Sequence, residues 1–501
     1  MKLRRVFLKT GIPQIRILAP CLLAVASIQV FAGEPKYQKP DVTTPQNWQT
    51  PAPWHEASPL DSLPKGAWWT LFGDPELDQY EQRAMANNQT LKVAIARLAE
   101  AQASARVTAS GLYPELSAGV RATRSRLSAN RPLNGSQFTP TAVTQNEFSI
   151  PFALNYEVDL FGRVRHSLES ANATFQASAA DLENVRLLVS SELAADYFQL
   201  RELDSEIAVV QKAIEFQQQG LDFVERRHGG GIASGLDVAQ QQVVLDSSIT
   251  QLSLLQQQRA QYQHALAMLQ GLAPAEFTAP VRGMNVQPPA VPMALPSELL
   301  QRRPDIATAE REAAAANARI GVARAALYPA ISLTGGGGVD SKAIASLLNA
   351  PSFFWSLGLQ VIEPVIAGGR NRAQLEFAKA GYQESVASYR ETAMIAFQQV
   401  EDALSGLGTL ASAFESQQRA VADAQRSLSL ANARYTGGLV TYLDVITAQE
   451  QALTNERLAT QLLGQRLVTS VYLVKALGGG WDVSSLSAVG VKPSLRQAVQ
   501  Q

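Results

Sequence analysis

The chain has 501 residues, a net charge of −1, four histidines and one cysteine. A nearly neutral chain lacks the basic face that a nucleic-acid partner requires. Cys21 lies in the N-terminal leader, so disulfide scaffolds, cysteine nucleophiles and thiolate metal sites are excluded. The histidines are too scattered to suggest a metal centre, and we predict no cofactor and no enzymatic activity.

The first 32 residues have the pattern of a signal peptide. A basic segment precedes an apolar stretch, with cleavage expected after Ala26 or after Ala32. Pro20 does not fit the small residue that a lipoprotein cleavage box places before its cysteine. Residues 33–75 then form an extended, proline-rich N-terminal arm. Beyond the leader, 18 consecutive apolar residues do not occur, which leaves an exported soluble protein or a β-barrel as alternatives.

Residues 76–273 form a first structural repeat. A short helical region is predicted from about Leu77 to Gly111, followed by an alternating strand around residues 116–123. A longer alternating run, 148–160, exceeds an average strand and approaches the ~9–11 residues that cross a bilayer as a tilted β-strand. A proline-free helix from Arg163 to His228 would span roughly 100 Å. Glycines 229–231 end it, and a second helix returns over 236–269.

A proline-rich linker, 274–297, leads to a second repeat over 298–480, and 481–501 form a loose tail. The second repeat has the same order of elements. A helix is predicted over 305–327, short strands around 331–334 and 355–361, and a helical hairpin broken at Gly437-Gly438. We interpret Gly335 to Gly338 as a flexible turn, because they lack the Lys-Ser/Thr that completes a phosphate loop.

The two repeats share residues at a constant offset. Seven residues from Arg227 to Gln242 recur 207 positions later, from Arg434 to Gln449. Four predicted strands per chain cannot close a membrane barrel, since the smallest use about eight and lipid tolerates no open edge. The strands therefore need either an oligomer in a membrane or an ordinary half-buried sheet in a soluble protein.

Several motifs together resemble the TolC-like outer-membrane factors, in particular the NodT-type branch paired with resistance-nodulation-division pumps. They are Trp68-Trp69 with Phe72, Asp74-Pro75 and Leu77; Arg302-Arg303-Pro304-Asp305-Ile306 with Ala309-Glu310; Ile320-Gly321 with Tyr328-Pro329; and Tyr435, Gly438 and Leu443-Asp444-Val445. Many members carry a lipidated cysteine at the mature N-terminus, whereas Cys21 lies within the predicted leader.

The resemblance implies a mixed α and β fold: long antiparallel helical hairpins that form a tunnel, and four transmembrane strands per chain. A homotrimer would share a 12-stranded barrel in outer-membrane lipid, with the tunnel in the periplasm. The partners implied are a periplasmic adaptor protein and an inner-membrane pump. The function implied is passive export of small molecules; a type I protein-secretion duct and a soluble periplasmic coiled-coil scaffold are the alternatives.

The candidate functional residues lie at the hairpin ends and on the strands. The resemblance places Asp444 and Tyr435 at a closed periplasmic gate, and Asp237 is the matched residue of the first hairpin. Each aspartate is also well placed to cap a helix. Adaptor contact is expected at the hairpin glycines, Gly230, Gly231, Gly437 and Gly438. The lumen-facing candidates are Asn155, Glu157 and Gln360, whose neighbours Leu154, Tyr156 and Leu359 would face lipid.

Overall fold

The computed structural model describes residues 37–45, 48, 67–130, 141–289, 296–481, 483, 486, 489 and 490. The predicted signal peptide, Cys21, most of the arm and most of the tail lie outside these residues. The chain divides into two compact units. One contains residues 114–166 and 321–375 and holds the sheet, and the other contains 39–113, 167–320 and the chain from 376 onwards.

Eight α-helices are found in the described residues. Their bounds are α1 Pro75–Asn87, α2 Gln89–Ser110, α3 Arg163–Gly229, α4 Gly235–Leu269, α5 Pro296–Arg302, α6 Pro304–Ala325, α7 Arg370–Thr436 and α8 Tyr442–Ala476. The long helices α3 and α7 both have 67 residues, and the return helices α4 and α8 both have 35. None of the helices in the described part of the chain combines the length and hydrophobicity needed to cross a membrane.

The helical region predicted from Leu77 to Gly111 consists of two helices, because Asn88 divides it into α1 and α2. The Asn88 backbone leaves the helical region, with φ −57° and ψ 129°. Its side-chain oxygen accepts a hydrogen bond from Leu91 N at 2.9 Å, and its amide donates to Leu269 O at 2.8 Å. One buried asparagine therefore ends α1, caps α2 and ties both to α4. The short helix α5, before the predicted start at Asp305, was also missed.

The sheet is antiparallel and contains β1 Glu115–Ala118, β2 Arg121–Leu127, β3 Val143–Glu157, β4 Ala330–Ser341 and β5 Phe353–Ile362. The order is β1-β3-β4-β5, and β2 pairs with the same edge of β3 as β1. The two short strands keep one register, since Ala118 pairs with Phe152 and Arg121 with Ser149. They are thus one strand path, interrupted where Gly119 N donates to Pro151 O and Pro151 has no N–H to return.

The flexible turn predicted at Gly335 to Gly338 is wrong. These glycines lie inside β4 and pair with β3 on one side and β5 on the other. Gly338 has a φ of 152°, and a Cβ at this position would lie 2.1 Å from Ile150 O. Glycine is therefore required here by the close approach of two strand backbones, as is common for glycine inside strands.

The strand β3 is displaced from the strand predicted over 148–160. It begins at Val143 and ends at Glu157. Asp159 explains the earlier end, because its carboxylate accepts hydrogen bonds from Val164 N at 3.1 Å and Arg165 N at 2.8 Å. The last residues of the alternating run thus form the entry to α3 and supply its N-terminal capping group.

The tryptophan motif lies in the core of the helical unit. Trp68 is fully buried and donates from its indole nitrogen to Ser190 Oγ at 3.0 Å. Phe72 packs on Phe198 of α3, with ring centroids 4.8 Å apart. A second motif residue, Arg303, donates to Ala476 O at 2.9 Å and pairs with Asp305. These motif residues hold the C-terminal end of α8 and a short N-terminal segment against the long helices.

Candidate functional site

The end of the first hairpin is a tight turn between α3 and α4. Gly231 adopts a φ of 74°, which favours glycine, and Gly230 and Gly231 are exposed. Ser234 and Asp237 form a capping box: Asp237 N donates to Ser234 Oγ at 3.2 Å and Ser234 N donates to Asp237 Oδ2 at 2.9 Å. Asp237 therefore has a defined structural role at the start of α4.

The second hairpin end has the same construction with a more exposed carboxylate. Gly438 has a φ of 69°, and Gly437 and Gly438 are exposed. Asp444 Oδ2 accepts hydrogen bonds from Thr441 N at 3.0 Å and from Thr441 Oγ1 at 2.7 Å. The hydroxyl bond from Thr441 lowers the pKa of Asp444 below its usual value, so this exposed group is held in its charged form.

Tyr435 is buried between the two hairpins of one chain. Its ring lies 5.0 Å from that of Tyr442, and the Arg227 guanidinium lies 5.0 Å from its ring centre. Tyr442 donates from its hydroxyl to Gln241 Oε1 at 2.9 Å, and Gln241 donates in turn to Gln217 O at 2.8 Å. This cluster joins residues of α3, α4, α7 and α8.

Sequence analysis missed Tyr442 and Gln241. A signal was present, because the repeat fails at these positions: Tyr442 corresponds to Gly235, and Gln241 to Ala448, at the offset of 207. The phenol of Tyr442 occupies space beside Gly220, where a Cβ would come within 3.0 Å of its hydroxyl. Both departures from the internal repeat thus lie at a contact between the two hairpins.

The three lumen candidates share one face of the sheet. Glu157 pairs with Ser332, which pairs with Gln360, while Asn155 pairs with Thr334. Directly paired residues project to the same side of an antiparallel sheet. Their neighbours Leu154, Tyr156 and Leu359 lie on the opposite face. Asn155 and Gln360 are exposed, whereas Glu157 is bound by Arg163, whose Nε donates to Glu157 Oε1 at 2.7 Å.

The opposite face carries a continuous apolar surface. It is exposed on the outer strand path as well as on β3 and β5. Trp355 is 73% exposed and Val120 is 83% exposed, which a sheet packed on a soluble core would not allow. The exposed apolar residues of this face are Leu116, Val120, Phe152, Phe353, Trp355, Leu357, Leu359 and Val361.

The features together define an outer-membrane channel subunit. The sequence matches the family described as outer membrane efflux protein over residues 81–272 and 295–479, and the chain belongs to this family. It is an efflux channel of the outer membrane, and its family consists of transporters rather than enzymes. The resemblance inferred from the motifs is thereby confirmed.

Individual relatives match over nearly their whole length. The chain is 34% identical to the pyoverdine export outer membrane protein OpmQ of Pseudomonas aeruginosa, over 93% of this chain and 96% of that protein. It is 31% identical to the cation efflux system protein CusC of Escherichia coli, over 92% of this chain and 100% of that protein. Its fold is similar to the outer-membrane channel OprN, with 29% identity and a TM-score of 0.82 over 89% of this chain and 99% of that one.

Proposed function

We propose that the chain is the outer-membrane exit duct of a tripartite efflux system. In this proposal, three copies close one 12-stranded barrel, and their helices form a tunnel through the periplasm. A periplasmic adaptor docks at the hairpin ends, including Gly230, Gly231, Gly437 and Gly438. An inner-membrane pump supplies the energy, and small-molecule substrates pass through the duct passively.

The observation that carries this proposal is the combination of open sheet edges with an exposed apolar face. Within the described residues, the β1/β2 path pairs only with β3, and β5 pairs only with β4. An open edge leaves backbone N–H and C=O groups without partners, which lipid does not tolerate. Four strand paths per chain are too few to close alone, and three copies supply twelve.

The height of the apolar face supports a membrane location. On β3 and just beyond it, every second residue from Phe148 to Val158 is apolar and lies on this face. Ten residue steps cover roughly 34 Å along a strand, or about 26 Å when tilted by ~40°. This matches the apolar band of ~25 Å typical of outer-membrane barrels. On the other face, Asn155, Glu157 and Gln360 would line the lumen.

The equal helices support a tandem duplication of one ancestral unit. The helix α3 begins at Arg163 and α7 at Arg370, and both pairs of hairpin helices start and end 207 positions apart. We propose the repeat bounds 76–273 and 298–480, joined by the linker 274–297. With a duplicated hairpin, each chain would contribute two quasi-equivalent helical hairpins to the wall of the tunnel.

The hairpin ends are the proposed periplasmic gate. Three copies of Asp444 near a common axis would form an anionic ring that attracts cations. The exposure of Asp444 and the bonds that keep it charged support this role. Tyr435 would hold the two hairpins of each chain together, and Asp237 would provide the equivalent charge on the first hairpin.

The relatives export different substrates by their names, pyoverdine in one case and cations in another. Both are similar to this chain over nearly all their length. We therefore assign substrate selection to the pump and adaptor rather than to this chain.

The decisive experiment is conductance of the purified mature protein in a planar lipid bilayer. Discrete, cation-preferring current steps are expected, and protein heated until its subunits separate is the control. A protein that produces no steps and stays soluble without detergent would contradict the channel and favour a periplasmic helical scaffold.

A further inference from the structure

Two arginines of β2 lie on the same face as the apolar band, immediately beyond its end. Arg124 pairs with Asn146 and Arg126 with Thr144, two and four residues past the pair of Ala122 with Phe148. Because side chains alternate along a strand, both guanidinium groups project to the apolar side of the sheet. The surface therefore changes from apolar to cationic within two residues.

Neither charge has a neutralising partner among the residues that the structure describes. Within the described part of the chain, neither arginine has a hydrogen bond or ion pair. The nearest carboxylate in the ladder, Glu147, is on the opposite face, where it accepts a hydrogen bond from Thr123. The segment 128–142 contains one arginine and no acidic residue in its sequence. Both guanidinium groups are therefore exposed and available to an anionic group outside the chain.

We propose that Arg124 and Arg126 bind the phosphate groups of a phosphorylated lipid in the outward-facing leaflet. The inference rests on the proposed function, in which the end of the sheet joined to the helices is periplasmic and the β2–β3 connection is extracellular. The arginines then lie where the hydrocarbon ends and the headgroups begin. Guanidinium groups bind phosphate oxygens in pairs, so arginine suits this ligand better than lysine. A trimer carries six such groups around its rim.

The apolar band and the arginines together define the ligand as a lipid. Acyl chains would pack on Phe148 and Val120, while the headgroup phosphate meets the arginines. A free phosphate would gain only the charge interaction, which is weak at an exposed site. The strand itself offers a matched control in Arg121, which pairs with Ser149 on the opposite face.

The test is native mass spectrometry of the detergent-solubilised assembly titrated with lipid A carrying two phosphates. The double variant Arg124→Gln/Arg126→Gln should bind this lipid at least tenfold more weakly, since each arginine near a lipid surface contributes roughly a fivefold factor. The Arg121→Gln variant should bind within about twofold of the unaltered protein. Lipid A with one phosphate should bind the unaltered protein more weakly and lose less in the double variant.

Three results would overturn the proposal. They are equal lipid binding by the double variant, an equal loss in Arg121→Gln, or displacement of the lipid by millimolar inorganic phosphate. Conductance of the same preparations separates this failure from failure of the proposed function. If current steps occur and the double variant binds lipid as well as the unaltered protein, only the arginine site is rejected. If no current steps occur, the channel itself is rejected.

Discussion

Glu202 is a buried carboxylate of the long helix α3 whose pKa is raised further than that of Asp196 on the same helix. It is buried on α3, its Oε2 has no hydrogen-bond partner in the described structure, and Gly464 packs directly on it. Burial, and then the neighbouring charge of Glu206, raise the pKa of Glu202 to about 8. Glu206 itself is bound by Arg457, at 2.7 Å, and none of the ion pairs among the described residues includes Glu202.

This environment predicts a pH-dependent stability. The folded state keeps a proton on Glu202 that the unfolded chain releases above pH ~4.5, so the group costs stability as the pH rises from ~4.5 to ~8. The penalty above pH 8 is on the order of 5 kcal/mol, since one pKa unit corresponds to about 1.4 kcal/mol. Glu202→Gln should therefore match the unaltered protein at pH 5 and unfold at a higher temperature at pH 9.

The control is Glu225→Gln, at an exposed position of the same helix. It should leave the difference between pH 5 and pH 9 unchanged. If Glu202→Gln shows the same pH dependence as the unaltered protein in thermal unfolding, the carboxyl is not protonated in the folded state.

At the residue scale, the sequence predicted local helix capping better than contacts between distant residues. Asp237 and Asp444 follow a glycine turn at helix starts, so their capping positions could be inferred from local spacing. The bond between Tyr442 and Gln241 joins residues 201 positions apart, and local spacing contains no information about it. Glu157 was predicted to be polar and lumen-facing, but its pairing with Arg163 depends on how α3 begins.

Among the elements, β4 depends on glycine more than its sequence suggests. Gly338→Ala places a Cβ 2.1 Å from Ile150 O, so β3 and β4 must separate locally. The cost is on the order of 3 kcal/mol, and less protein should fold into the outer membrane. Quantifying the folded form in the membrane fraction, by its resistance to dissociation before heating, measures this effect.

Gly337→Ala is the matched control on the same strand. Its added Cβ would meet Phe354 O at 3.6 Å, an ordinary contact. Near-normal folding of Gly337→Ala beside failure of Gly338→Ala would assign the effect to the close approach. Equal folding of both variants would show that the strands can adjust.

The charge of Asp444 and its role as a helix cap can be tested separately. Both hairpin ends are closed by a capping box, formed by Ser234 with Asp237 and by Thr441 with Asp444. Asp444→Asn keeps an acceptor oxygen for Thr441 and removes the carboxylate charge. If three Asp444 carboxylates form the gate ring, block of the channel current by multivalent cations should weaken at least several-fold. Asp444→Ala also loses the cap, at a cost of about 1 kcal/mol, and should raise conductance or weaken the block.

Asp237→Asn provides the comparison on the first hairpin. If multivalent cations block the Asp444→Asn channel as strongly as the unaltered channel in bilayer recordings, Asp444 is only a helix cap. An equal change in Asp237→Asn would mean that both hairpin ends face the current path.

The elements themselves followed largely from the sequence, for a physical reason. Residues 163–229 contain no proline and few glycines, so a very long helix was the only regular structure available. The exceptions were positions where one residue serves two elements. Asn88 both ends and starts a helix, and glycines 335–338 have the composition of a turn while pairing on both sides.

For the whole molecule, the open edges of the sheet impose the strongest constraint. In the proposed trimer, β5 of one copy must pair with the β1/β2 path of the next, because antiparallel closure uses every edge. Sequence analysis reached this requirement by counting strands, and only the family resemblance supplied the number three. The pairing register between β5 of one copy and the β1/β2 path of the next depends on contacts with a second copy, so neither the strand pattern nor the single chain determines it.

Engineered disulfides across that joint can count the copies, because the one native cysteine, Cys21, lies in the predicted leader. Ser117→Cys should be combined in turn with Ser356→Cys, Gly358→Cys and Gln360→Cys. All four positions lie on the proposed lumen face of the two edges. A disulfide needs Cβ atoms about 3.5–4.5 Å apart, so one pair should cross-link in good yield and its neighbours poorly.

Oxidation of that pair should give linked dimers and trimers on a denaturing gel, with no larger species, because a closed ring of three has no free edge. The pair Asn155→Cys/Thr334→Cys, on β3 and β4 of one chain, should cross-link only within the monomer. A ladder that continues beyond three would reveal a larger ring. Failure of all three edge pairs, with the internal pair oxidised, would show that the edges do not meet and would remove the structural basis for a shared barrel.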